Sequence, residues 1–182
     1  MIPIMSGIDK PNESDGTTLC KSCGLCCTGH LFIWAKLRSV ELNAAELLGL
    51  NVFREPRQRG FSQPCPLWEG QCTIYSSPHY PHSCRTYKCK LLKRVLDETT
   101  PLIEALPVVE QAKIMINELE ALLPASDNPN FRERLVAYME QLEESKEGTH
   151  AEAELLPKAQ ALLIFYETHF GVKDLVERSE EG

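Results

Sequence analysis

The stretch CKSCGLCC at residues 20–27 contains four cysteines, Cys20, Cys23, Cys26 and Cys27. Two cysteines three residues apart can bend around one metal ion, and a third at the same interval matches the start of a ferredoxin-type cluster run. Gly24 suits the tight turn between them. Because adjacent side chains diverge, we expect Cys26 and Cys27 to serve different metal atoms or different sites.

Four more cysteines follow at spacings too wide for one local turn, so only loops can bring them together. They are Cys65, Cys72, Cys84 and Cys89. Two sets of four thiols fit two tetrathiolate zinc sites, one four-iron cluster with four cysteines left over, or one cluster and one zinc. All eight cysteines are therefore predicted metal ligands, with buried inert cysteines and disulfides as the alternatives.

The composition predicts a cytoplasmic protein. The chain has 182 residues, of which 43% are hydrophobic, and it shows neither a secretory leader nor an apolar run of about 18 residues. We therefore expect no membrane association. Cytoplasmic reductants keep thiols reduced, so eight clustered cysteines indicate metal or redox chemistry rather than disulfides.

Charge divides the chain into two unlike parts. Residues 1–95 have 12 Lys and Arg against 7 Asp and Glu, a net +5, whereas residues 96–182 have 7 against 19, a net −12. The basic charges are scattered and accompany no nucleic-acid module, so no nucleic-acid partner is predicted. They are better explained as compensation for thiolates around a metal.

The predicted fold class is α+β, with three consecutive parts. Residues 1–18 read as a flexible lead-in, and residues 19–96 as a small, loop-rich cysteine domain that is organised by metal and contains short strands. Residues 97–182 read as an acidic, antiparallel three-helix bundle. The apolar faces of these helices are expected to form its core, although the acidic half could also bind a protein partner.

Within the cysteine domain, strands are predicted over residues 31–37 and 72–75, separated by a loop over residues 51–66. A helix should begin at Asn43, which has capping-box spacing to Glu46, and should stop at Gly49. Another helix can begin at residue 91. Pro78 and Pro81 are expected to prevent regular structure before Cys84.

Three helices are predicted in the acidic half. The first follows an apolar stripe over residues 108–122, and the second starts near Pro129 with Asn128 as its cap. The third starts at Thr149, which has capping-box spacing to Glu152, and ends at Gly171.

The order of the cysteine motifs resembles the CxxCxxCC cysteine-cluster family, whose members are described as zinc- or iron-chelating and often labelled iron-sulfur cluster proteins. The motifs are CKSCGLCC (20–27), CPL (65–67), CTIY (72–75) and PHSCRTYKC (81–89), so the resemblance covers about residues 20–92. It implies that all eight cysteines are ligands, including Cys89 at the C-R-x-Y-x-C ending. One departure is Tyr80 before Pro81, where the family commonly has Arg. The family has no settled activity, so the resemblance implies a site rather than a reaction.

Arg85 and Tyr87 directly follow a predicted ligand and are candidates to donate hydrogen bonds to the sulfurs of a bound cofactor. His79 and His82 could bind zinc, but eight thiols already supply enough donors. No P-loop, dinucleotide-binding or His-Glu-x-x-His motif is present. Any catalysis would therefore have to use the cysteine site.

Three functions are compatible with these observations. The favoured one is an iron-sulfur protein with a redox or accessory role; if it is an enzyme, it is an iron-sulfur oxidoreductase or an accessory of one. The alternative is a structural zinc module that scaffolds protein–protein interaction. The third is metal storage or delivery through exchangeable thiolates at Cys26 and Cys27.

Overall fold

The computed structural model describes residues 13–144 and 150–173 and is a mixture of helices and a small sheet. The N-terminal part contains α1 (Asp15–Cys23), β1 (Trp34–Lys36), a 3₁₀ turn (Ser39–Glu41), α2 (Leu42–Leu47), β2 (Val52–Arg54), β3 (Arg59–Ser62), α3 (His82–Thr86) and α4 (Lys90–Leu96). The C-terminal part contains α5 (Leu102–Glu120), α6 (Phe131–Glu144) and α7 (His150–His169). The predicted α+β class is confirmed at this level.

The three strands form one antiparallel sheet in the order β1-β3-β2. Gly60 in the central strand lies between the aromatic rings of Trp34 and Phe53, whose centroids are 5.6 Å apart. A Cβ atom at Gly60 would collide with these rings and with the backbone of β1, so the sheet requires glycine at this position. The prediction of a loop over residues 51–66 is wrong, because β2 and β3 form a hairpin within this segment. Contacts with the distant Trp34 stabilise this hairpin.

The other predicted strands are only partly correct. The strand over residues 31–37 is present at Trp34–Lys36 alone. Residues 72–75 do not form a strand: only Cys72 pairs, in an isolated bridge with Trp68, and turns follow it. The Cys72 amide donates to the Lys21 carbonyl of α1 at 3.2 Å rather than to a neighbouring strand.

Several helix ends differ from the predicted ones because other side chains provide the caps. Ser14 accepts from the Thr17 amide at 3.3 Å and starts α1 inside the predicted lead-in, while residues 1–12 lie outside the described part. Glu41, rather than Glu46, makes the capping-box contact, accepting from the Arg38 amide at 2.8 Å. The α3 helix begins directly after Pro81, although the two prolines were expected to prevent regular structure there.

The three acidic helices are confirmed, and α5, α6 and α7 pack together. Asn130, not Asn128, accepts from the Glu133 amide at 3.1 Å at the start of α6. The predicted cap Thr149 lies outside the described residues. Gly171, with φ 77°, follows the end of α7 as expected.

Two groups of buried side chains support the structure. We call the larger one the helical core; it joins residues of α1 and α4, such as Leu19 and Leu92, to the acidic helices, for example at Leu119 and Leu162. The smaller one, the sheet core, consists of Leu37, Leu42, Ala45, Leu50 and Phe61. The division at residue 96 stays a prediction, but the helical core contains side chains from both sides of it.

Candidate metal centre

The first four cysteines are presented by the C-terminal half of α1 and the turn that follows it. Cys20 and Cys23 lie on the helix three residues apart and therefore on the same face. The helix ends at Gly24, whose φ of 76° and missing side chain let the ring of Trp68 pack directly against the backbone. The Thr28 amide donates to the Gly24 carbonyl at 2.8 Å, which closes the turn that contains the two adjacent cysteines.

The next two cysteines lie on a loop that is bonded to this turn. The Cys65 amide donates to the Cys27 carbonyl at 2.7 Å. Within the loop, the Trp68 amide donates to the Cys65 carbonyl at 3.2 Å, and Trp68 also pairs with Cys72. These bonds hold residues 65–72 against the end of α1.

The last two cysteines are positioned by separate short helices on opposite sides of the site. Cys84 lies in α3, which is attached to β1 by the Ser83 hydroxyl donating to the Lys36 carbonyl at 2.6 Å. Cys89 is the N-cap of α4, and its sulfur accepts from the Leu92 amide at 3.4 Å. Although the two cysteines are close in sequence, α3 contacts β1 and α4 contacts α1.

The cysteines surround one cavity of about 250 Å³. Seven of the eight line it, namely Cys20, Cys23, Cys26, Cys27, Cys72, Cys84 and Cys89. The rest of the wall is mainly aliphatic and aromatic, including Leu25, Phe32 and Trp34. All eight cysteines are free thiols and are half-buried. Cys65 does not line the cavity, but burial raises the pKa of its thiol and the nearby Cys72 raises it further.

The thiols line this space rather than converge on one point. Within residues 13–144 and 150–173, no three His, Cys, Asp or Glu side chains are placed close enough to hold a single metal ion. The liquid volume of one water molecule is only about 30 Å³. The cavity between the thiols is therefore large enough for a group of several atoms.

In the folded chain, burial raises the pKa of all eight thiols, so without a bound cation they would be protonated at neutral pH. The pKa rises to about 11 at Cys20 and to about 12 at Cys23 and Cys84. Neighbouring thiols add to this effect, because several thiolates in one cavity would repel one another. A cation in the cavity would remove that repulsion, and binding it would release protons.

Backbone amides oppose the effect of burial at four of the cysteines. In each case the sulfur accepts a hydrogen bond from the amide two residues later, which lowers the pKa of the thiol. The pairs are Cys23 with Leu25, Cys65 with Leu67, Cys72 with Ile74, and Cys89 with Leu91, although at Cys89 the amide of Leu92, three residues later, has the larger effect. Nearby lysines act in the same direction: Lys113 lowers the pKa of Cys23, Lys21 that of Cys72, and Lys93 that of Cys89. Such groups favour thiolates, the form in which cysteine binds metal.

Of the two other predicted site residues, Tyr87 lines the cavity and Arg85 does not. Tyr87 lines the cavity, where burial, Cys26 and Cys89 raise the pKa of its hydroxyl. Arg85 does not line it; its guanidinium lies 5.5 Å from the centre of the Tyr80 ring and donates to the Ser77 carbonyl at 3.4 Å. A hydrogen bond from either residue to a bound cofactor stays a prediction.

Among the described residues, neither His79 nor His82 lines the cavity. The His82 amide instead donates to the Glu41 carboxylate at 2.8 Å, at the start of α3. Two tyrosines that were not among the predicted site residues do line it: Tyr75 and Tyr80, whose rings are 5.2 Å apart.

No family model, curated protein or solved structure matches this chain. The resemblance to the CxxCxxCC family therefore stays a prediction based on the spacing of eight cysteines that the sequence does contain. In the described part of the chain, no helix combines the length and apolar character needed to span a membrane. The predicted cytoplasmic location, the absence of a nucleic-acid partner and a protein partner at the acidic half also stay predictions.

Proposed function

We propose that this protein binds an iron-sulfur cofactor in the cysteine-lined cavity and has a redox or accessory role. The observation that supports this most is the cavity of about 250 Å³ with seven thiols in its wall. Its size suits a cofactor of several atoms better than one ion. Iron-sulfur clusters are the usual cofactors of this kind that cysteine thiolates hold.

The donor set fits such a cofactor in number and in chemistry. Eight thiols exceed the four that one cluster needs, and the equal spacing of Cys20, Cys23 and Cys26 matches a cluster-binding run. Four of the thiols accept amide hydrogen bonds, so the folded chain presents them in an orientation suited to thiolate ligands.

When bound, an iron-sulfur cluster supplies one-electron transfer at a potential set by its surroundings. The chain provides those surroundings through its own residues. Aliphatic and aromatic side chains such as Leu25, Phe32 and Trp34 limit the access of water to the thiols. Amide donors and the lysines near Cys23, Cys72 and Cys89 stabilise negative charge on sulfur, which tends to raise a reduction potential.

The proposal is tested by anaerobic purification of the full chain, followed by assays of iron, zinc and acid-labile sulfide. We expect iron and sulfide in similar amounts, with visible absorption that decreases on reduction by dithionite and returns on reoxidation. The double variant His79→Ala/His82→Ala is the control and should keep the full load. Bound iron and sulfide that do not respond to reduction and reoxidation would contradict the redox role.

The alternative is a structural zinc module, which the sulfur-accepting turns at Cys65 and Cys72 also suit. A colourless protein with bound zinc and no sulfide would replace the iron-sulfur proposal with this one. Metal storage or delivery would instead require that the load exchange readily with a competing chelator. A protein that contains no metal after anaerobic purification and reconstitution would exclude all three.

A further inference from the structure

The eight cysteines are attached to two different parts of the fold. Four of them pack against the helical core, namely Cys20, Cys23, Cys26 and Cys89. They lie in or next to α1 and α4. Cys65 and Cys84 instead pack against the sheet core. This division does not follow the sequence, because Cys84 and Cys89 are only five residues apart but belong to opposite sides.

Backbone contacts join the remaining two cysteines to Cys65 of the sheet side, although the Cys72 amide also donates to the Lys21 carbonyl of α1. Cys27 accepts from the Cys65 amide through its carbonyl at 2.7 Å. Cys72 is joined to Cys65 through Trp68, whose amide donates to the Cys65 carbonyl and whose backbone pairs with Cys72. Because Cys26 and Cys27 are adjacent, their side chains diverge and can enter different groups.

The interactions between thiols show the same division. Burial raises the pKa of Cys26, and the next two contributions come from Cys23 and Cys89, ahead of its neighbour Cys27. Burial also raises the pKa of Cys27, and the next contributions come from the other sheet-side thiols before Cys20. In order they are Cys65, Cys72 and Cys84. The two strongest partners of Cys26 are therefore on the helical side, although Cys27 comes before Cys20 among its partners, whereas Cys27 interacts with all three sheet-side thiols before any other than Cys26.

Cys20 has neighbouring thiols on both sides, as do Cys26 and Cys27. Burial raises its pKa most, followed by Cys89 and then by Cys72. It shares α1 with Cys23 and packs against the helical core, so its backbone and its packing both assign it to the helical side. Its position places the helical-side thiols next to the three sheet-side thiols that line the same cavity, with Cys65 behind them, outside the cavity wall.

We infer that the protein holds two separate metal centres, one bound by the helical set (Cys20, Cys23, Cys26, Cys89) and one by the sheet set (Cys27, Cys65, Cys72, Cys84). This inference rests on the proposed metal-binding function but not on the identity of the metal. Each set has the four thiolates that one iron-sulfur cluster or one tetrahedral zinc requires; because no three potential ligands converge on one point among the described residues, a single zinc ion would have to draw its ligands closer together. The adjacent Cys26 and Cys27 connect the two centres through a single peptide unit.

The test compares the metal load of cysteine-to-serine variants of the full chain by elemental analysis and native mass spectrometry. Cys26→Ser and Cys27→Ser are a matched pair, because they make the same change at adjacent positions. Each should lose one centre, about half of the load if the centres are equal, and the two variants should lose different centres. Loss of the whole load in both, or of the same centre in both, would overturn the inference.

Double variants test which of the two sets Cys84 and Cys89 belong to. Cys26→Ser/Cys89→Ser changes two ligands of one centre and should lose no more metal than Cys26→Ser alone. Cys26→Ser/Cys84→Ser changes both centres and should lose nearly all of it. If the first double variant loses the full load and the second loses half, Cys89 and Cys84 are assigned to the wrong sets.

The wild-type protein provides a measurement that does not depend on whether the variants fold. Its native mass should correspond to two centres, and a mass that corresponds to one centre would overturn the inference. Wild-type protein without any metal would instead contradict the proposed function itself. The two failures are therefore distinguishable.

Discussion

The helical side and the sheet side of the cavity present their thiols on cores of very different size. Among the described residues, the helical core contains 20 buried side chains, including Leu119, Leu135 and Leu162 from the acidic helices. The sheet core contains five. Burial of a large apolar side chain stabilises a fold by about 1.5–3 kcal/mol, so the helical side can remain folded through packing alone. The sheet side needs another source of stability, which a metal can provide.

The largest expected effect is that of metal removal. Structural metals contribute about 10–16 kcal/mol in small thiolate modules, which matches or exceeds the usual net stability of a domain. Chelation should therefore unfold the sheet side, with fast hydrogen exchange at β2, β3 and residues 65–72, whereas α5 and α7 stay protected. Loss of protection in all of these segments would show that the two sides unfold as one unit. Unchanged protection at β2 and β3 would show that the sheet does not depend on metal.

The same comparison shows which elements could be predicted from sequence. The helices α5, α6 and α7 were predictable because their apolar periodicity is a local signal. The β2–β3 hairpin was not, because Gly60 in it is fixed by the ring of Trp34, which lies 26 residues earlier. The α1 helix was missed because its start depends on one cap, Ser14, within a polar segment that resembles a flexible terminus.

The candidate site, like the fold, could be predicted from the sequence only in part. The residue types and spacings were enough to select eight cysteines, seven of which line the cavity, and to predict different roles for Cys26 and Cys27. They could not show that Cys89 lies with the first cysteines, because that depends on the packing of α4 against α1. They also gave no sign that Tyr75 would line the cavity, since tyrosine is common in turns and strands alike.

Core substitutions should affect the helical side and the sheet side differently when metal is removed. Leu162→Ala removes a fully buried side chain from α7, so the free energy of unfolding should fall by about 2–5 kcal/mol with or without metal. Phe61→Ala should cost about 3–5 kcal/mol in the metal-loaded protein only, because the sheet side is already unfolded without metal. Ile164→Ala, an exposed position on α7, is the control. Urea unfolding of each variant in both states measures these effects, and an equal cost of Phe61→Ala in both states would contradict them.

A smaller effect is expected where the two sides meet, at the contact between Gly24 and Trp68. Gly24→Ala places a methyl group against the Trp68 ring at a backbone φ of 76°. Gly70→Ala is a matched control, because Gly70 has the same φ of 76° but no atoms nearby that a methyl group would meet. The shared backbone strain costs about 1–2 kcal/mol, and overpacking at Gly24 should add about 1–3 kcal/mol. Urea unfolding of the metal-loaded variants gives the difference, and equal costs would mean that Trp68 moves aside freely.

The smallest expected effect is a pH dependence of the helical side that does not involve the metal ligands. His30 is half-buried, packs against Phe131 with ring centroids 5.3 Å apart, and bonds to the Thr28 hydroxyl at 2.6 Å. Burial lowers the pKa of His30 from 6.5 to about 4, while the nearby Glu120 raises it and Arg134 lowers it. The folded state therefore binds the proton more weakly than the unfolded state does, so this stability is present above pH 6.5 and is lost as the pH falls towards 4. Urea unfolding of the metal-free protein should show a loss of about 1–2 kcal/mol between pH 7.5 and pH 5. The variant His30→Asn should lack this part of the dependence; an identical pH profile for the variant would show that other groups cause it.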